Sequence, residues 1–417
     1  MLENEYDISL KTCEISSRGV AIADYKKLLK RYVSELSHDV TIFNNTPLMI
    51  SLNQDEVYSK LIKLLYTTLE KIVSNYFLDE RIRQIYQLDT KLEEILKLAN
   101  VASYEVGMYR PDIIFDETGQ AKICEIGCRY PINGWMLSYY LSKILKELSQ
   151  ADTDWKPIDK QLDFISEIFK DFSKDEKLFY VHNKEKGTEA FLLFEELKKK
   201  GLLIEDISPS ELTLYKEELY VDNDKAVQFI LELDREELKE IDTNILSALI
   251  KSEKCINDLR TIILVHDKRV LSVLYDEEIM LDYISMSEYN FLKAFLIPSF
   301  ILDTSAKREK FSNSNQNWVL KRSSGGRGVD MYVKDECATD IWQQVIRDEW
   351  KDYMIQEFVE QQKVAVTHKG LQQKLNIVGM LLSYNEISFG TGLYRGAIKS
   401  IINVHSGACI LPSAIKK

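Results

Sequence analysis

Apolar positions recur at i, i+3, i+4 and i+7 through much of the first hundred residues. ADYKKLLKRYVSEL (23–36), DEVYSKLIKLLYTTLEKIVSNYF (55–77) and LDTKLEEILKLANV (88–101) carry that spacing, with Asp or Asn near their starts. They predict three helices. Between the first two, FNNTPLMISLNQDE (43–56) holds Asn44, Asn45 and Pro47 and predicts a loop. Nothing in this region announces chemistry.

From residue 101 the period shortens. YRPDIIFDETGQAKICEIG (109–127) reads as a strand, a DETG turn and a second strand. A helix follows in WMLSYYLSKILKELSQ (135–150). Next come a strand in KLFYVHN (177–183), a helix in EKGTEAFLLFEELKKKG ending at Gly201, and a strand in LLIEDIS (202–208). ELTLYKEELYV (211–221) suggests a hairpin, and REELKEIDTNILSALIKSE (235–253) one helix. That alternation is an α/β layer. RTIILVHD (260–267) is β-branched and apolar, which predicts a strand, and KRVLSVLYDEE after it a helix. NWVLKRSSGGRGVDMYV (317–333) predicts two strands around a glycine loop. YMIQEFV (353–359), LNIVGMLLS (375–383) and EISFGTGLYRG (386–396) make the end of the chain β-rich. The fold class is α+β, in three regions: a helical region 1–100, an α/β domain 101–260, and a lid, hinge and terminal strands over 261–417.

Composition narrows the functional classes. The chain has 417 residues and a net charge of −12, so its field repels nucleic acid and anionic membrane. An anionic ligand needs a local basic site. No stretch approaches the length of a membrane span. MLENEYDISL lacks the basic and apolar parts of a signal peptide. The six cysteines show no framework spacing and fit a reducing, cytoplasmic setting.

Two places could carry chemistry. The first is the glycine loop, where Lys321 ends an apolar strand and Gly325, Gly326 and Gly328 follow. Glycines let backbone N–H groups approach phosphate oxygens, and Lys321, Arg322 and Arg327 add charge. The second is the hairpin, in which Asp112 and Glu125, counted inward from the turn, point to one face. Two carboxylates on one face repel unless a cation lies between them. Cys124 and Cys128, spaced C-x3-C around Glu125, have no second paired motif to complete a zinc site. Strict alternation puts both on the face opposite Glu125, as packing residues.

The pattern V-L-K-x(3)-G-G-x-G-V followed by I-Q-E-F-V resembles the ATP-grasp superfamily of carboxylate–amine ligases. The order R-x-D (Arg110, Asp112), Glu125, lid, then GTGLYRG with Arg395 is similar to the circularly permuted branch typified by glutathionylspermidine synthetase. The resemblance covers roughly residues 101–417. It implies ATP and Mg²⁺ as cofactors. It implies Lys268, Lys321, Gly325, Gly326 and Gly328 at the phosphates, and Gln356, Glu357 and Val359 at the adenine and ribose. Asp112 and Glu125 become the metal ligands, and Arg110 and Arg395 the catalytic arginines. Gly127 departs from the pattern, because the family has Asn there. The implied reaction is amide (or thiol) ligation through an acyl-phosphate. The partners would be a small-molecule, amino-acid or carrier-bound carboxylate and an amine, with a second copy in a homodimer, and without nucleic acid or membrane. A small-molecule kinase and a degenerate nucleotide-binding scaffold are the alternatives.

Overall fold

The computed structural model describes residues 16–17, 22–33, 40–149, 153–183, 187, 189–252, 254–326, 328, 330–368 and 370–417. The long N-terminal helix Leu52–Ser74 starts at Ser51, whose hydroxyl accepts from Gln54 N–H while the Gln54 side chain accepts from Ser51 N–H. This reciprocal cap fixes the helix start. Its buried stripe, including Leu61, Leu65, Leu69 and Ile72, packs on the strand Ile387–Ala397. Helices Ile22–Val33 and Thr90–Ala99 also form where the periodicity places them, residues 34–36 lying outside the described set. A further short helix, Glu80–Tyr86, is capped by Asp79.

The segment 43–56 is not all loop. Leu48–Ile50 is a buried strand, paired in parallel with Ser413–Lys416. Three consecutive buried apolar residues leave no alternation to read, so only the distant partner strand reveals it. The single helix expected over 235–253 is two, Arg235–Glu240 and Thr243–Ile250. Asp242 caps the second by accepting from Asn244 and Ile245 N–H. Another correction falls at RTIILVHD, where Thr261–Val265 form a wholly buried π-helical turn rather than a strand. A short run buried on all sides has the same sequence signature in either conformation. The strand Gln228–Glu232, all five residues buried, is also invisible to alternation.

Three sheets matter to the site. The hairpin forms as expected, Met108–Phe115 against Ala121–Gly127. It extends an antiparallel six-stranded sheet in the order Cys409–Leu411, Ile387–Ala397, Leu371–Tyr384, Met108–Phe115, Ala121–Gly127, with Val364–His368 paired beside Leu371–Tyr384. Strands from residues 108–127 and 364–411 thus share one sheet. A second antiparallel sheet has the order Ser299–Ile301, Tyr353–Glu357, Trp318–Arg322, Met331–Val333 and carries the glycine loop at the turn between its last two strands. The third is parallel, with the order Lys254–Ile256, Gln228–Glu232, Leu178–His182, Ile204–Ile207. Among the described residues no helix is long and apolar enough to cross a membrane.

Candidate active site

A cavity of about 530 Å³ lies between the six-stranded sheet, the glycine-loop sheet and the segment 400–404. Its two ends differ in chemistry. At one end Ile114, Ile297 and Val378 form an apolar cluster against which Cys124, Val359 and Ile402 pack, and Val319, Met331 and Val333 add to the wall. At the other end stand Arg110, Asp112, Glu125, Lys321 and Arg395, with His266, Arg129 and Glu189 beside them.

The cationic end is built from four separate segments. Asp112 and Glu125 are direct cross-strand neighbours, brought opposite each other by a register shift between Asp112 and Ile113. Arg110 Nε donates to Asp112 Oδ1 at 2.8 Å, and Arg395 Nη2 donates to Asp112 Oδ2. Lys268 Nζ lies 3.3 Å from Glu125 Oε1 and also donates to the Gly325 carbonyl. Lys321 Nζ donates to Gln356 Oε1 at 2.6 Å and to the Cys124 carbonyl at 2.9 Å. Burial works to raise the Glu125 pKa, but Lys268, His266, Lys321 and Arg110 outweigh it and hold the carboxyl at about 2. Burial pulls the Lys321 ammonium below its ordinary value and His266 down to about 4. His266 is therefore neutral at neutral pH, its Nδ1 3.4 Å from Cys128 N.

Lys268 is held by a buried network that no motif signals. Asp267 accepts from Arg269 and Arg235, each pair closing to 2.6 Å. Lys268 N–H donates to the Ser323 carbonyl at 3.0 Å. The lysine and the glycine loop are therefore tied together twice, through Ser323 and through Gly325. The buried helical turn at 261–265 leads straight into this network.

Of the twelve residues singled out from sequence, ten line the cavity, and the other two, Lys268 and Gly325, bond to each other beside it. Several take unexpected positions. The Gln356 amide is buried and used twice within the protein, accepting from Lys321 and donating to Ser299 Oγ at 2.9 Å. It fixes Lys321 rather than offering a free edge. Glu357 sits at the rim, where its carboxylate accepts from Gln316 Nε2 at 2.9 Å. Val359 joins the apolar cluster. Arg322 pairs with Asp330 at 2.9 Å, away from the cavity wall, and Arg327 lies outside the described residues.

The cysteine reading needs one correction. A register shift falls between Asp112 and Ile113, which pair with Glu125 and Ile123, so Cys124 is the extra residue of a bulge. The bulge breaks strict alternation, and both Cys124 and Cys128 line the same cavity as Glu125. Its Sγ–H donates to the Asp112 carbonyl at 3.3 Å, and burial pushes the thiol up to about 12. Burial likewise raises Cys128. Both are protonated packing thiols.

Sequence reasoning missed Glu189. Only 1% exposed, its carboxylate accepts from Gly134 N–H at 2.6 Å and Leu137 N–H at 2.8 Å, capping the helix Trp135–Leu148 from 52 residues away. Gly134 has φ +88°, and a Cβ there would meet Met380 Sδ at 2.6 Å, so this turn requires glycine. Burial raises the Glu189 pKa from 4.5 to about 7 against the pull of those N–H groups and Arg110. The folded protein thus holds this proton more tightly than the unfolded chain does. The stabilisation this gives is complete below 4.5 and lost as pH rises through about 7. Glu125 acts oppositely, contributing stability above its ordinary 4.5 that is lost as pH falls toward about 2. Glu189→Gln is expected to flatten the fall in stability between about pH 5 and pH 8 by of order 2 kcal/mol, read from urea midpoints across that range.

The implied Mg²⁺ does not fit the donors present. Both oxygens of Asp112 are taken by guanidinium groups, and both of Glu189 by backbone N–H groups. Glu125 is paired with Lys268. Among the described residues no group of three or more His, Cys, Asp or Glu is placed to hold a metal ion. Gly127 explains part of this. It lies opposite Arg110 in the register, and a Cβ there would come within 3.0 Å of Arg110 Nη2. The guanidinium occupies the space an asparagine would need.

A family model described as the AnkG N-terminal domain matches residues 61–264. No curated protein sequence matches the chain. The apo structure of a glutathione synthetase-like effector from Globodera pallida superposes with a TM-score of 0.60 at 11% identity, covering 94% of this chain and 95% of that one. The chain has the fold of that effector, a mixed α+β architecture. A RimK domain ATP-grasp protein from Sphaerobacter thermophilus aligns with a TM-score of 0.31 at 15% identity, over 57% of this chain and 90% of that one, too low to bear on the fold.

Proposed function

We propose that this protein is an ATP-dependent ligase of the permuted ATP-grasp type, joining a carboxylate to an amine or thiol through an acyl-phosphate. The supporting observation is the two-ended cavity, with an apolar cluster suited to a flat base beside four cations drawn from separate segments. ATP, when bound, supplies the phosphoryl group that activates the carboxylate.

The chain's own residues divide the work. Lys268 and Lys321 offer point charges to phosphate oxygens, and Gln356 and the Cys124 carbonyl hold Lys321 in place. The Gly325 carbonyl now on Lys268 must yield to a phosphate oxygen, so closure of the glycine loop is coupled to ligand binding. Asp112 orients Arg110 and Arg395, whose guanidinium groups stabilise charge as it develops on the transferring phosphoryl. A substrate carboxylate oxygen attacks the γ-phosphorus and the bond to ADP breaks. The amine nitrogen then attacks the acyl carbon, the carbon–oxygen bond to phosphate breaks, and the nitrogen gives up a proton.

A second reading, a nucleotide-binding scaffold without turnover, draws support from the engaged oxygens of Asp112. An ADP-release screen across amino acids, diamines and carrier proteins separates the two. The ligase reading expects amine-dependent ADP release that Lys321→Ala abolishes. Release without an amine would instead indicate a kinase, and none with any substrate would favour the scaffold.

A further inference from the structure

We propose that this cleft binds its nucleoside triphosphate without a protein-held divalent cation, the Arg110–Asp112–Arg395 bridge taking the place of a metal centre. The inference deepens the nucleotide reading and rests on it. Four carboxylates line the cavity, Asp112, Glu125, Glu189 and Glu357. Asp112 receives a guanidinium on each oxygen, Glu189 a backbone N–H on each, Glu357 the Gln316 amide, and Glu125 the Lys268 ammonium. Mg²⁺ demands near-octahedral oxygen geometry, and Asp112, the carboxylate directly opposite Glu125, has no oxygen free to share an ion with it.

What the site offers instead is planar cation. Arg110 is locked by Asp112 Oδ1 and by the Asn133 carbonyl, to which Nη1 donates at 2.6 Å. Gly127 leaves room for that guanidinium beside the cross-strand backbone. Arg395 is bound to the other Asp112 oxygen, and its buried Nε has no partner, so one donor is left unused. A guanidinium presents paired donors that match phosphate oxygens, and it carries its charge at every physiological pH. With Asp112 orienting both arginines, the bridge keeps a net positive charge, and the Lys321 ammonium adds to the cation that phosphates would meet.

Calorimetric titration of ATP into the full chain, in excess EDTA and in excess Mg²⁺, tests this. The expected dissociation constants agree within about threefold. Arg395→Lys, which keeps the charge but loses the fork, should weaken binding in EDTA by about tenfold or more while the thermal midpoint stays near wild type. Binding that is about tenfold or more weaker in EDTA overturns the proposal and leaves the nucleotide reading standing. No binding in either medium overturns both. A wild-type affinity in Arg395→Lys overturns the assigned role of the bridge.

Discussion

Lys321→Ala is expected to cost about 2–3 kcal/mol of ATP affinity, roughly 30- to 150-fold in Kd. Lys321 is 5% exposed, on a strand in the middle of its sheet, and its ammonium is aimed by Gln356 and the Cys124 carbonyl. Removing it takes away a charged donor and leaves two buried acceptors unpaired, so some loss of stability accompanies the loss of binding. Lys321→Met separates the two effects. It restores the buried volume, so stability recovers most of the way while affinity does not. Because burial already pulls the lysine below its ordinary pKa, wild-type affinity should decline with rising alkaline pH sooner than for an exposed lysine. Calorimetry over that range reads both. Retained affinity in Lys321→Met would remove this lysine from the phosphate site.

Asp112→Ala should destabilise the ligand-free protein by roughly 3–5 kcal/mol, the cost of stripping the counter-charge from buried cations. Asp112 is 4% exposed and bridges Arg110 and Arg395, both largely covered. The sign of this result separates two accounts of the same residue. A carboxylate kept for a metal sits unsatisfied in the empty protein, and removing it relieves repulsion with its cross-strand neighbour Glu125. A carboxylate that orients arginines is structural before any ligand arrives. Urea unfolding of wild type and variant in EDTA decides, with a neutral or stabilising outcome supporting the metal-ligand account.

The hairpin at 108–127 was legible because a DETG turn separates two apolar runs, but the bulge at Cys124 that sets Asp112 opposite Glu125 was not. The glycine loop was legible for the same reason. What sequence could not convey is how each group is engaged. Asp112 looks identical as a metal ligand or as an arginine clamp until Arg395, 283 residues away, is brought across the sheet. Gln356 looks like a base-reading amide until the register sets it beside Lys321 and Ser299. Glu189 caps a helix far upstream, so no local pattern marks it. The strand misread at RTIILVHD and the missed strand QFILE share one cause. Complete burial erases the periodicity on which secondary-structure reading depends.

The central claim is that a nucleotide occupies the two-ended cavity. A crystal structure with a non-hydrolysable ATP analogue tests it most directly. The account predicts the base against Ile114, Val378 and Val359, and the phosphates on Lys268 and Lys321 with Arg395 within hydrogen-bonding reach. An analogue bound elsewhere, or a cavity left empty at saturating analogue, would contradict it.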